Sequence, residues 1–112
     1  MVESTLLQPE PLYSLAFGSI SGTYALVGTL VHPSRIYWVQ NLTDKTLTFS
    51  QDGSTDHFVL ASGDSIKLDV GSNRGIRDTL AFKAGTPLYV KGTGLGSGAA
   101  YLVSFYMTQK NY

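Results

Sequence analysis

Apolar residues recur at every second position along most of this chain. Ile36 and Trp38 alternate with Tyr37 and Val39. The same period of two returns in four later stretches, at residues 47–50, 58–60, 66–70 and 88–91. A repeat of two is that of a β-strand, whose successive side chains point to opposite faces, whereas a helix repeats every ~3.6 residues. The pattern therefore predicts strands, and no stretch combines helical spacing with a capping motif.

The longest predicted strand lies near the C-terminus, at about residues 99–108. Its odd-numbered positions from Tyr101 to Met107 are apolar, and Leu102 and Tyr106 make its even side partly apolar as well. A strand that is apolar on both sides is either central in a sheet or covered by a partner.

Turn sequences separate the strands. They contain glycine, proline, aspartate, asparagine or serine, the residues that turns favour, and lie at residues 33–34, 52–53, 62–64, 71–73, 84–87 and 92–98. Strands of this length with turns at this spacing are typical of an all-β sandwich or small barrel. We predict a single antiparallel β-sandwich, jelly-roll-like, with about seven or eight strands in residues 13–112.

Residues 1–12 lack strict alternation and include Pro9 and Pro11. Proline restricts itself and the preceding residue to extended conformations, so we predict an extended N-terminal arm before the sandwich. A frayed terminus is the ordinary state of such a segment. The alternative is an arm that docks on a neighbouring subunit, for which Leu6 and Leu7 are the apolar anchors.

Composition narrows the class of protein. The length of 112 residues suits one domain. Charged residues make up only 14%, with 8 basic and 8 acidic side chains, against about 25% in an average globular protein. This low charge, with a hydrophobic content of 43%, argues against intrinsic disorder, and a net charge of zero argues against a dedicated nucleic-acid binder. Low charge is typical of surface that becomes buried on assembly.

The sequence lacks the residues that several kinds of functional site require. The chain has no cysteine, which excludes disulfides and zinc–thiolate sites. Its first residues carry Glu3 and Glu10 and no basic region, and no apolar run approaches the ~18 residues of a membrane span, so we predict neither a secretion signal nor a transmembrane segment. His32 and His57 are the two histidines, and no G-x-S-x-G nucleophile motif accompanies them. We therefore expect no catalytic residues.

Two loops resemble ligand sites but fit other roles better. Asp52 and Asp56 stand four residues apart and could suit calcium, yet their spacing is not that of an EF-hand, and an Asx-type turn is favoured. The glycine-rich residues 92–98 carry no lysine and lead into a strand rather than a helix. We interpret them as a flexible hairpin connection, and we expect no metal and no cofactor.

The remaining candidates are contacts with other proteins. Arg74 and Arg77 form a small basic cluster beside Asp78. Seven tyrosines suit an interface or sugar stacking, although strand propensity also enriches tyrosine. Trp38 would be a stacking platform if exposed, whereas the burial tendency of tryptophan favours the core. The candidate assembly contacts are Leu6, Leu7, Pro9, Pro11, Arg74, Arg77 and Tyr106.

A succession of short motifs runs from residue 36 to residue 106. In order they are Gln40-Asn41 at a strand end, LTFSQDG at 47–53, FVLASG at 58–63, Leu68-Asp69, GTPLYVK at 85–91 and an aromatic strand at 101–106. This succession resembles that of small virion structural proteins of tailed bacteriophages. The resemblance implies a β-sandwich that forms oligomers on or near the capsid, commonly as a cement or decoration protein, with relatives in the neck or tail.

Together these observations predict a non-enzymatic virion protein that bridges neighbouring capsid subunits. Its expected partners are the major capsid protein and copies of itself, without nucleic acid or membrane, and its expected location is the virion, assembled in the host cytoplasm. The alternatives are a neck or tail structural protein and a carbohydrate-binding module.

Overall fold

The computed structural model of the protein describes residues 3–69 and 82–111, with side chains for 8–69 and 82–106. These residues form nine strands: β1 Glu3–Pro9, β2 Tyr13–Ala16, β3 Ala25–Thr29, β4 Ser34–Thr43, β5 Leu47–Ser50, β6 Phe58–Leu60, β7 Ser65–Asp69, β8 Pro87–Lys91 and β9 Gly98–Asn111. The helical part of the described chain is one 3-10 turn, Phe17–Ser19, so the all-β prediction is confirmed. No described helix is long and apolar enough to cross a membrane.

The strands form two packed antiparallel sheets. Sheet A has the order β1-β9-β4-β7, with β2 also pairing with β9, and sheet B has the order β3-β8-β5-β6. From β2 onward the chain alternates between the sheets at every connection except β5 to β6. The orders β2-β9-β4-β7 and β3-β8-β5-β6 are those of an eight-stranded jelly roll. The predicted jelly-roll-like sandwich is confirmed, and β1 is a ninth strand added to it.

The N-terminal segment is part of sheet A. Over Glu3–Pro9 it is not a separate arm, because β1 pairs antiparallel with the C-terminal half of β9, from Glu3 opposite Asn111 to Pro9 opposite Phe105. The physical reason is the length of β9: its 14 residues run past the start of β4, where Ser34 lies opposite Tyr106. The backbone groups beyond that point pair with β1. The boundary after residue 12 therefore falls between two strands of one sheet.

The core lies between the two sheets. Tyr37 and Val39 of β4 are fully buried, and they pack in one cluster with Leu102 of β9 and with Phe49 and Val90 of sheet B. Burial of such side chains stabilises the fold by roughly 1.5–3 kcal/mol each.

Trp38 does not belong to this core. It stands between Tyr37 and Val39 on β4, both of them buried, so strand alternation turns it to the outer face of sheet A, where it is half-buried. The expectation from the burial tendency of tryptophan was therefore wrong for this residue.

Candidate functional site

The outer face of sheet A is lined by apolar and aromatic side chains from its two central strands. The register pairs Ile36 with Phe105 and Trp38 with Val103, and Gln40 lies opposite Tyr101. All of these side chains are half-buried, although they point away from the core. We define the apolar outer face by five residues: Ile36, Trp38, Tyr101, Val103 and Phe105.

The margin of this face is polar. Lys67 of β7 lies opposite Trp38, and its ammonium nitrogen is 5.6 Å from the centroid of the indole ring, within the range of a cation–π contact. On the other flank β2 places Ser14 opposite Tyr101. An apolar centre with a polar rim is the usual anatomy of a protein interface.

The two sheets differ in what covers their outer faces. The described chain consists of two sheets and one 3-10 turn, so no described strand or helix forms a third layer over sheet A. On sheet B, the connection between β5 and β6 contacts the surface through Asp56, which accepts the Tyr24 hydroxyl and lies 3.1 Å from Lys91. Leu26 and Val59 are exposed on this sheet, but they lie on its opposite edge strands and form no continuous apolar face. The apolar outer face of sheet A is therefore the better candidate for a contact with another protein.

A buried carboxylate fixes the turn between β1 and β2. The Glu10 side chain is only 1% exposed. It accepts hydrogen bonds from the Tyr13 hydroxyl at 2.7 Å and from the backbone N–H groups of Val31 at 3.1 Å and His32 at 2.9 Å. A buried charge persists only with such donors. Glu10 therefore ties the β1–β2 turn to the β3–β4 connection.

His32 extends this cluster to β9. Its Nδ1 lies 3.3 Å from the Glu10 carboxylate, and its ring stacks on Tyr106 with centroids 3.8 Å apart and an angle of 9° between the planes. Tyr106, one of the predicted assembly contacts, is thus packed within its own chain. The sequence pattern does not reveal the structural role of Glu10, because the backbone N–H groups that donate to its carboxylate are 21 and 22 residues away.

We expect Glu10 to make folding stability depend on acidity. Burial raises the pKa of its carboxyl, but the hydrogen bonds from Tyr13, Val31 and His32 outweigh burial and hold that pKa below the ordinary value of 4.5. A carboxyl whose pKa is lower in the folded state adds stability above the unfolded pKa and loses it as pH falls through the folded pKa. The free energy of unfolding should therefore decline below about pH 4.5.

Urea denaturation at several pH values measures this decline. Glu10→Gln should cost about 2 kcal/mol at pH 7 and should reduce the loss at acidic pH, because the carboxylate is gone. The exposed Asp64→Asn variant is the control. A Glu10→Gln protein with the stability and the pH profile of wild type would contradict the assignment.

The other predicted assembly contacts are placed as follows. The register sets Leu6 opposite Thr108 and Leu7 opposite Met107, and nothing further is described for these side chains. Pro9 and Pro11 are exposed. Arg74 and Arg77 lie outside the described residues.

The aspartate loop forms the predicted Asx-type turn. The Asp52 carboxylate accepts the N–H groups of Ser54 and Thr55, both at 2.8 Å, and these hydrogen bonds, that of Thr55 first, hold its pKa far below the usual range. His57 is nearby, and its Nδ1 accepts the N–H of Gln51 at 2.9 Å. No cluster of three or more potential metal ligands occurs among the described residues.

The glycine-rich segment is not a hairpin. It connects β8 in sheet B to β9 in sheet A, whereas a hairpin joins neighbouring strands of one sheet, so that part of the prediction was wrong. The N–H of Gly96 donates to both carboxylate oxygens of Asp44, at 2.9 and 3.2 Å. This contact ties the segment to the β4–β5 turn.

Comparison of the chain with protein-family models, curated proteins and solved structures found no match. A function for this chain is therefore inferred from the surfaces described above.

Proposed function

We propose that this protein is a non-enzymatic structural protein of a tailed-bacteriophage virion that cements or decorates the capsid by bridging neighbouring capsid subunits. The observation that carries the proposal is the apolar outer face of sheet A, which no described element covers. An uncovered apolar face is typical of protein contact sites. The resemblance of residues 36–106 to phage virion proteins supplies the partner.

Bridging needs contacts with more than one neighbour, and sheet A offers two regions. The apolar outer face lies on its central strands. Beyond the pair formed by Ser34 and Tyr106, β9 has no pairing with β4 and is joined to β1 alone among the described strands. Such a two-stranded ribbon is marginally stable by itself and exposes a strand edge, to which another strand can add. We assign the outer face to the capsid protein and the ribbon edge to another copy of the chain.

The jelly-roll topology is compatible with this role. Jelly rolls occur in viral capsid proteins and also in lectins, so the fold alone does not choose between them. The low charged fraction of 14% favours a surface that is covered in an assembly.

The decisive experiment measures association with virions. We expect the purified protein to form oligomers in sedimentation analysis and to co-sediment with particles. Val103→Glu places a charge at the centre of the apolar outer face and should weaken particle binding at least about ten-fold, because an unpaired charge in an interface core is costly. Circular dichroism checks that the variant folds.

Val59→Glu is the matched control. Val59 is 59% exposed on sheet B, opposite Thr48, and its substitution should leave particle binding unchanged. Equal losses in Val103→Glu and Val59→Glu would contradict the assignment to sheet A. A strictly monomeric protein that is absent from particles would contradict the proposal itself. Copy number per particle separates a shell location, with many copies, from the alternative of a single neck or tail ring.

A second candidate function has one observation in its favour. Trp38 lies on an outer face, where an indole ring can stack on a sugar. In that case glycan binding is lost in Trp38→Ala while the fold is retained. Binding that survives this substitution excludes Trp38 as the platform.

A further inference from the structure

A cleft lies at one end of the sandwich, where the β2–β3, β4–β5 and β8–β9 connections meet. Its volume is about 510 Å³, within the range of small-molecule sites. Besides two glycines, the described lining consists of lysines and threonines: Lys45, Lys91, Thr46, Thr48 and Thr93. The lining thus contains two lysines and three threonines, and no acidic residue. Converging loops at the end of a rigid sandwich are a common place for ligand binding.

Lys91 is held in position from one side. Its ammonium nitrogen is 3.1 Å from the Asp56 carboxylate and 4.6 Å from the centroid of the Tyr24 ring. The Tyr24 hydroxyl donates to the same carboxylate, which closes a triangle of contacts. An ammonium has three N–H donors, so the carboxylate and the ring leave Lys91 a donor for a ligand.

Lys45 is held through its backbone. Its carbonyl accepts hydrogen bonds from the amide of Asn41 at 2.9 Å and from the hydroxyl of Thr43 at 3.0 Å, and both of these side chains are buried. The neighbouring Asp44 directs its carboxylate to the N–H of Gly96. Among the described residues the Lys45 ammonium forms no ion pair, although the neighbouring Asp44 carboxylate attracts it. Its N–H donors can therefore bond an anion.

We propose that this cleft binds an acidic sugar. The two ammonium groups hold the sugar carboxylate, and the three threonine hydroxyls, each a donor and an acceptor, bond the ring hydroxyls. Cations alone would suit any small anion. The threonines, together with a volume that fits one or two sugar rings, select a ligand that also carries hydroxyls.

This inference does not rest on the virion assignment. The cleft is formed by strands of sheet B and by loops at the end of the sandwich, whereas the proposed assembly face is the outer face of sheet A. A copy docked through sheet A would leave the cleft open.

The test is a titration of the full ¹⁵N-labelled chain, followed by NMR at constant ionic strength, with sodium glucuronate, glucose and inorganic phosphate as separate probes. We expect saturable shifts of the Lys45, Gly92 and Thr93 amides with glucuronate, and weaker binding of glucose and of phosphate. Lys45→Met should weaken glucuronate binding about five-fold, the scale of one exposed charge pair. Lys83→Met, which removes an exposed lysine that lines neither the cleft nor the apolar outer face, is the matched control and should bind as wild type does.

A threonine variant separates an acidic sugar from a simple anion. Thr48→Val should weaken glucuronate binding while leaving phosphate binding unchanged, because it removes a hydroxyl without changing the charge. Phosphate binding as tight as glucuronate binding, unaffected by Thr48→Val, would overturn the sugar assignment. The absence of saturable shifts with all three probes would overturn the site.

Discussion

Replacing Gly98 with alanine is expected to destabilise the protein by about 2–5 kcal/mol, because the strain of a positive φ adds to a steric overlap, and this is a large share of the stability of a small domain. Gly98 opens β9 with φ at +92°, a conformation that L side chains rarely adopt. A Cβ atom there would lie 1.9 Å from the Leu42 carbonyl oxygen and 2.7 Å from the Cα of Thr43. Both atoms belong to the backbone of β4, so relief requires β4 and β9 to separate.

A second glycine separates strain from steric overlap. Gly63 has φ at +83°, but its Cβ would meet nothing within 4 Å. Gly63→Ala should therefore cost only the conformational strain, about 1–2 kcal/mol. Urea denaturation of both variants gives the difference, and equal losses would show that the close approach of β4 to β9 contributes nothing.

The second large effect is expected for Asn41→Ala, at about 4 kcal/mol. Asn41 is fully buried, and its amide donates to the carbonyls of Lys45 and Leu60, both at 2.9 Å. Its oxygen accepts the N–H of Thr43 at 3.0 Å and the Thr43 hydroxyl at 2.6 Å. Alanine removes a buried partner from the Leu60 carbonyl and from the Thr43 N–H, and each buried group left unpaired costs about 1–3 kcal/mol. The Lys45 carbonyl keeps its hydrogen bond from the Thr43 hydroxyl.

Gln40→Ala is the control for Asn41. Gln40 is the preceding residue of β4, carries the same amide group and lies half-buried on the outer face, so its loss should change the free energy of unfolding by no more than about 0.5 kcal/mol. Losses of similar size in the two variants would contradict the role given to the buried amide.

Asn41 also connects stability to the proposed cleft. Since its amide fixes the backbone of Lys45, a folded Asn41→Ala protein should bind glucuronate more weakly than wild type does. The same buried side chain would then support the β4–β5 turn and the position of a ligand-binding lysine.

The two-residue period of apolar positions in the sequence determined that this fold is all-β. Tyr37 and Val39 alternate with Ile36 and Trp38, and only a strand places such pairs on opposite faces. Glycine and aspartate at residues 52–53 and 62–64 mark turns through their own backbone preferences. These are local effects, each set by a few neighbouring residues, and so they can be read without the tertiary structure.

The tertiary structure determined which residues each face of a strand and each end of the sandwich contact. Alternation gives β4 two sides but does not say which one faces sheet B, and the burial of Tyr37 rather than Trp38 follows from the packing of the two sheets. Glu10 and the Lys45–Lys91 cleft likewise join segments that are far apart in the chain. Partners at such separations are chosen by the topology of the whole sandwich, in which strands that are adjacent in the sequence lie mostly in different sheets. The apolar outer face of sheet A is a further case, because its residues come from β4 and β9, which are distant in the sequence.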